Sequence, residues 1–111
     1  MGFIQPCFIR KNTQEIRARL NNLGYFRNRE WKNYNDDNKR NFILVYGNTY
    51  SLLHVYYESL LHPLKKYGSI DCGTNEELFL AIAALRDDDI SLNDKINEIN
   101  KKYGTKIEFR R

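Results

Sequence analysis

Cys7, Cys72, His54 and His62 are all the thiols and imidazoles this chain has. Cys72 stands just before a segment that reads as a helix start. A helix N-terminus lowers a thiol pKa and favours the nucleophilic thiolate. With His54 or His62 as base and Asp71 as orienter, Cys72 would complete a Cys-His-Asp nucleophile. No spacing ties these residues together, because such groups meet only in three dimensions. The plainer account makes Gly73 the turn, Thr74 the helix cap and Cys72 a small apolar packing residue. We adopt it and assign no catalytic residue. The same four residues are the types zinc takes, but none are paired at two-to-four-residue spacing, so no metal site or cofactor is expected.

The turn Asp71-Cys72-Gly73-Thr74-Asn75 has the form of a phosphate cradle at a helix N-terminus. Glu76 and Glu77 already occupy the first turn there and repel a second anion. Asp87, Asp88 and Asp89, near Asp94, lack the alternating ligands and glycine of a calcium loop. The plain reading is a solvated helix end; three acids at a helix C-terminus oppose the dipole, which makes a partner spot the alternative.

Arg27, Arg29, Trp31, Lys32 and Tyr34 interleave cations with rings. Single-stranded nucleic acid is gripped by such surfaces, with bases on rings and phosphates on guanidinium groups. Lys39, Arg40, Arg110 and Arg111 would extend the surface, and Glu30, Asp36 and Asp37 dilute it. The same composition suits a protein interface, where tyrosine, tryptophan and arginine are enriched. Tyr46, Tyr50, Tyr56 and Tyr57 add to that side of the argument. Residues 1–41 carry nine Lys/Arg against four Asp/Glu, residues 42–100 four against nine, and residues 101–111 five against one. The two ends are basic and the middle acidic. One face turns positive if the ends lie side by side.

The elements that must position these groups follow from pattern. Phe3 to Ile9 reads as a strand, with Pro6 placing it at an edge or bulge. Asn12 and Glu15 form a capping box for a helix carrying Ile16, Leu20 and Leu23, closed by Gly24. Tyr25 to Asn41 is a long excursion or irregular arm. Phe42 to Tyr46 and Tyr50 to Tyr57 form a hairpin through Gly47-Asn48. Leu60 to Tyr67 is a short helical turn, and Ser69 to Cys72 a short strand. Thr74 and Glu77 cap a helix to about Arg86 that is apolar on almost every side, as a central helix must be. Ser91 and Asp94 open a last helix with a Leu92, Ile96, Ile99 and Tyr103 stripe, ended by Gly104. Thr105 to Phe109 reads as a final strand. The 111 residues predict one α+β domain. It is a two-layer sandwich, a mostly antiparallel sheet with helices on one face, in the order β-α-β-β-β-α-α-β.

The opening Gly2-Phe3-Ile4-Gln5-Pro6-Cys7-Phe8-Ile9-Arg10-Lys11-Asn12-Thr13 and the Ile70 to Asp88 block, with its DCGTNEELFLA run, resemble a group of small uncharacterised proteins. These are carried by phages and prophages of gut Bacteroides-type bacteria. In those proteins a Trp-bearing strand follows the acidic loop, where this chain has the Ser91 to Tyr103 helix. The resemblance implies a small accessory protein of mobile-element origin and brings no activity with it.

The chain therefore reads as a non-enzymatic interaction module that binds a protein partner through Arg27, Arg29, Trp31 and Tyr34. A nucleic-acid-binding module is the alternative. No apolar run reaches the roughly 20 residues of a membrane span. No secretory signal precedes the first strand, and two cysteines make no disulfide framework. A cytoplasmic monomer or homodimer, free of membrane and cofactor, is expected.

Overall fold

The computed structural model describes residues 3–28, 40–55, 62–66 and 68–108. In chain order these form β1 (Cys7–Ile9), α1 (Gln14–Leu23), β2 (Phe26–Arg27), β3 (Phe42–Tyr46), β4 (Thr49–Leu53), α2 (His62–Lys66), β5 (Ile70–Asp71), α3 (Glu76–Ala83) and α4 (Leu92–Tyr103). The strands make one sheet in the order β2-β4-β3-β1-β5. β3 pairs antiparallel with β4 and β1. β5 and β2 add parallel strands at the two edges. The protein is α+β, and β1, α1, β3, β4, β5, α3 and α4 succeed one another as the sequence predicts.

Strand alternation decides what each face meets. Cys7, Ile9, Ile43, Val45, Tyr50 and Leu52 point to one side and join the main core. Ile16 and Leu20 of α1, Leu78, Phe79 and Ile82 of α3, and Leu92, Ile96 and Ile99 of α4 complete it. Phe79 is wholly buried, which contributes about 2–3 kcal/mol. The opposite parity sends Phe8 and Phe42 to the other face. Their rings lie 6.2 Å apart there, with Leu44, Leu53 and Val55 packed around them.

Glycine is needed where α1 ends and where the hairpin turns. Gly24 ends α1 at φ 104, its N–H donating to Asn21 O and Leu20 O. A side chain there would be strained by the left-handed backbone alone. Gly47 has φ 61 as the first of the two hairpin residues, while Asn48, the second, is not among the residues of positive φ. That is the type II′ pattern, whose twist suits paired strands.

Several boundaries differ from expectation. Only Cys7–Ile9 of the opening segment is strand. Phe3 makes an isolated antiparallel bridge to Arg86 instead. Pro6 precedes β1, which is an inner strand of the sheet. Thr13 rather than Asn12 caps α1, its Oγ1 accepting from Ile16 N at 3.2 Å. Asn12 is occupied elsewhere, donating to Arg40 O and accepting from Arg17. Asn75 rather than Thr74 caps α3, accepting from Leu78 N at 3.0 Å. Ser91 is the N-cap of α4 by position, but its hydroxyl donates to Asp89, whose carboxylate also takes Ser91 N. Asp89, not Asp94, holds that turn. α3 stops at Ala83, because Leu85 turns into the core and Arg86 reaches Leu23 O.

The final strand is the largest correction. Residues 104–108 carry no ladder. Asn100 of α4 captures them: its Nδ2 donates to Ile107 O, and its Oδ1 accepts from Ile107 N and Thr105 Oγ1. The side chain of Asn100 therefore takes the donor and acceptor that a neighbouring strand would otherwise use. The fifth strand is β2, inside the segment expected to be irregular.

Candidate interaction surface

The sequence singled out the thiols, so their placement comes first. β1 and β5 run side by side, with Cys7 opposite Ile70 and Phe8 opposite Asp71. Cys72 follows on the face that Cys7 and Ile70 share. Both cysteines are free, and Cys72 is 4% exposed. Burial pushes the Cys7 thiol well above its ordinary value, and the hydrogen bond and repulsion of Cys72 push it further. Raised in this way, Cys7 is a poor nucleophile at neutral pH.

Asp71 is engaged with other groups. Arg10 donates to it from Nε at 3.2 Å and Nη2 at 2.5 Å, Gly73 N at 2.9 Å, and Lys65 Nζ lies 3.6 Å away. Burial alone would raise its pKa, but the bonds from Arg10 and Gly73 and the two positive charges outweigh it and lower the value. His54 is exposed just past β4, three strands from β5 in the sheet. Strand spacing makes that about 14 Å. His62 is exposed at the start of α2. The proposed Cys-His-Asp grouping is not assembled with His54. Among the described residues, no three His, Cys, Asp or Glu side chains are grouped to hold a metal ion.

Two open grooves lie on the helical side. One, of about 940 Å³, runs between α1 and α3, with Leu23, Leu80 and Ala81 on its floor. Glu76 on its rim pairs with Lys11 at 2.6 Å, and Glu77 with Lys102 at 2.6 Å. The described lining contains no cysteine, histidine or hydroxyl group. The other, of about 230 Å³, lies between α3 and α4. Neither has a cysteine, serine, threonine or histidine in its described lining.

Two exposed aromatic rings lie on the opposite face. Phe26 pairs with Thr49, and Thr49 with Tyr46, across the neighbouring strands β2, β4 and β3. Residues opposite one another in a ladder share a face. Phe26, Thr49 and Tyr46 therefore form one row beside the hairpin turn, its two rings about 10 Å apart. Phe26 is 68% exposed and Tyr46 66%.

Of the expected contact residues, Arg27 lies in β2 opposite Tyr50 and is half-buried. Register puts it on the helical side, away from the Phe26 ring. Arg29, Trp31 and Tyr34 fall outside the described residues, as do Lys32, Tyr56, Tyr57 and Lys39. Tyr25, the first residue of the segment expected to be irregular, is core: its hydroxyl donates to Ala83 O at 2.8 Å, and its ring stacks on Phe3. Tyr50 is also buried, with its hydroxyl on Asn21 Oδ1. The Phe26–Tyr46 row was hidden in the sequence because it depends on β2 pairing in parallel with β4. The aromatic excess around the hairpin was its one visible trace.

No protein-family model matches the chain, and neither does any curated protein or solved structure. Among the described residues, no helix is long and apolar enough to cross a membrane.

Proposed function

We propose that this chain is a non-enzymatic accessory protein of phage or prophage type that works by binding a protein partner. The observation behind this reading is the exposed Phe26–Thr49–Tyr46 row. Two large rings held in register on strands that flank β4 cost little side-chain entropy when covered, and aromatic anchors dominate binding energy at interfaces. Arg27, which follows Phe26 in β2 but faces the helical side, and Arg29, Trp31 and Tyr34 further along the chain are the other contacts we assign. The cytoplasm is the compartment that suits two unbridged cysteines.

The test is affinity capture from host lysate with tagged wild type, Phe26→Ser/Tyr46→Ser and Trp31→Ala, with and without nuclease. A nuclease-resistant protein retained by wild type and lost from the variants is the expected result, with melting temperatures unchanged. Capture indifferent to these variants overturns the assignment.

Rings exposed on a sheet face also suit stacked bases, and the chain carries a net charge of +4. The nucleic-acid reading predicts binding of a fluorescent oligothymidylate that falls steeply with salt as counterions are released. Absent or salt-independent binding removes it.

A further inference from the structure

The turn between α3 and α4 presents Ile90 fully exposed to solvent. The loop is braced on both sides of it. Asp89 N donates to Arg86 O, Leu92 N donates to Asp89 O, and the Asp89 carboxylate takes Ser91 N, Ser91 Oγ and Lys95. An apolar group carried on a pre-organised turn loses little freedom when it is covered.

A receptor for it lies on the same molecule. The groove between α3 and α4 starts near this turn, where Lys95 lines it, and runs towards Lys102 and Tyr103. Its floor is Ala81 and Ile99. Its 230 Å³ is several times the roughly 30 Å³ share of one liquid water and admits a branched aliphatic side chain. The charges along α4 complete the match. Asp88 stands exposed before its first turn and Lys101 exposed in its last, while Asp89 and Lys102 are paired within each copy to Lys95 and Glu77. The 12 residues of α4 separate the acidic end from the basic one by about 18 Å.

We infer that two copies of this chain pair antiparallel along α4, with Ile90 of each seated in the α3–α4 groove of the other near Tyr103. The acidic turn of one copy meets the lysine-bearing end of α4 in the other. A two-fold contact makes each copy both donor and receptor of the same residue, so one surface closes the assembly. This face is separate from the Phe26–Tyr46 row, and the inference stands apart from the function proposed above.

Sedimentation velocity over a concentration series tests it on wild type, Ile90→Asp, Asp88→Lys and Phe26→Ser/Tyr46→Ser. Wild type is expected to dimerise, with the Kd raised at least about tenfold by Ile90→Asp. Asp88→Lys is expected to weaken the dimer more at low salt than at high, because these charges are exposed and screened. Phe26→Ser/Tyr46→Ser should leave the dimer intact. Ile90 and Asp88 are both exposed, so neither substitution threatens the fold. A wild type that stays monomeric to about 0.5 mM, or a dimer that survives Ile90→Asp unchanged, overturns the inference. Loss of the dimer in Phe26→Ser/Tyr46→Ser also overturns it and moves self-association to the sheet face.

Discussion

Arg10 and Asp71 join the ends of two parallel strands: the guanidinium leaves β1 and grips the last carboxylate of β5 from Nε and Nη2. The pair also resolves a puzzle of charge. By sequence the first third is basic, the middle acidic and the tail basic. In the fold Arg10–Asp71 and Lys11–Glu76 tie the first third to the middle, and Lys102–Glu77 ties the tail to it. These segregated charges thus meet inside the molecule, which weakens the case for a single positive face.

Asp71→Asn should cost stability. The amide still accepts from Gly73 N, but it faces Arg10 and Lys65 without charge. A charge-assisted pair that is only partly exposed suggests a loss of about 1–2 kcal/mol, read as a lower urea midpoint with unchanged slope. The Asp71 pKa is depressed in the fold, so its contribution is complete above the ordinary carboxylate range and fades as pH falls through the lower folded value. The wild-type and Asp71→Asn urea midpoints should therefore converge in acid. A constant gap down to pH 2 would refute the account.

Tyr25→Phe isolates one hydrogen bond. The ring would keep its stack on Phe3, whose centroid is 3.8 Å away, while Ala83 O at the end of α3 loses its donor. An orphaned buried carbonyl costs about 1–3 kcal/mol. Tyr25→Ala also removes the ring between β2 and α3 and should cost roughly 3–5 kcal/mol. Thermal denaturation of both variants checks the order, and equal losses would mean the hydroxyl carries the whole effect.

The elements legible in the sequence are those fixed by local pattern. The hairpin followed from FILVY, Gly47-Asn48 and renewed alternation, and α4 from its apolar stripe. Each N-cap was placed within one residue, because Asn12-Thr13 and Thr74-Asn75 both offer two capping side chains in succession. Only tertiary contacts choose between them, as when Arg40 O takes Asn12. β2 was illegible for a similar reason. Phe26-Arg27 is too short for any period, and it becomes a strand because β4 offers Asn48 O and Tyr50 O to Phe26 N and Asn28 N. The Phe26–Tyr46 row inherits that blindness. So does the exposure of Ile90, which no apolar pattern marks.

Asn100→Ala should release the tail. Asn100 makes three bonds to Thr105 and Ile107, and Ile107 is buried against the helices. Without them the Ile107 amide and carbonyl lose their partners, and Ile107 has no ladder to fall back on. A loss of about 2 kcal/mol follows from the orphaned groups. Native-state hydrogen exchange should show the Ile107 amide becoming unprotected while β3 and β4 stay slow. An Ile107 amide still protected at the wild-type level would show that burial alone holds the segment.

Asp89 should give this protein an acid-sensitive turn. Lys95 is the main cause of its lowered pKa, followed by the hydroxyl and amide of Ser91, and together they bring it from 3.8 to about 2. A carboxylate depressed in the fold binds fewer protons there than in the unfolded chain. Its stabilising contribution is therefore whole above pH 3.8 and disappears as pH falls towards about 2. Asp89→Asn keeps an acceptor for Ser91 but loses the charge opposite Lys95. The melting temperature of wild type should exceed that of Asp89→Asn by a constant margin from neutral pH down to about pH 5, then converge with it at lower pH. Added salt should shrink the margin at neutral pH, because Lys95 is half exposed and the pair is screened. A margin independent of both pH and salt would mean that Asp89 acts through turn geometry alone, with Lys95 contributing nothing.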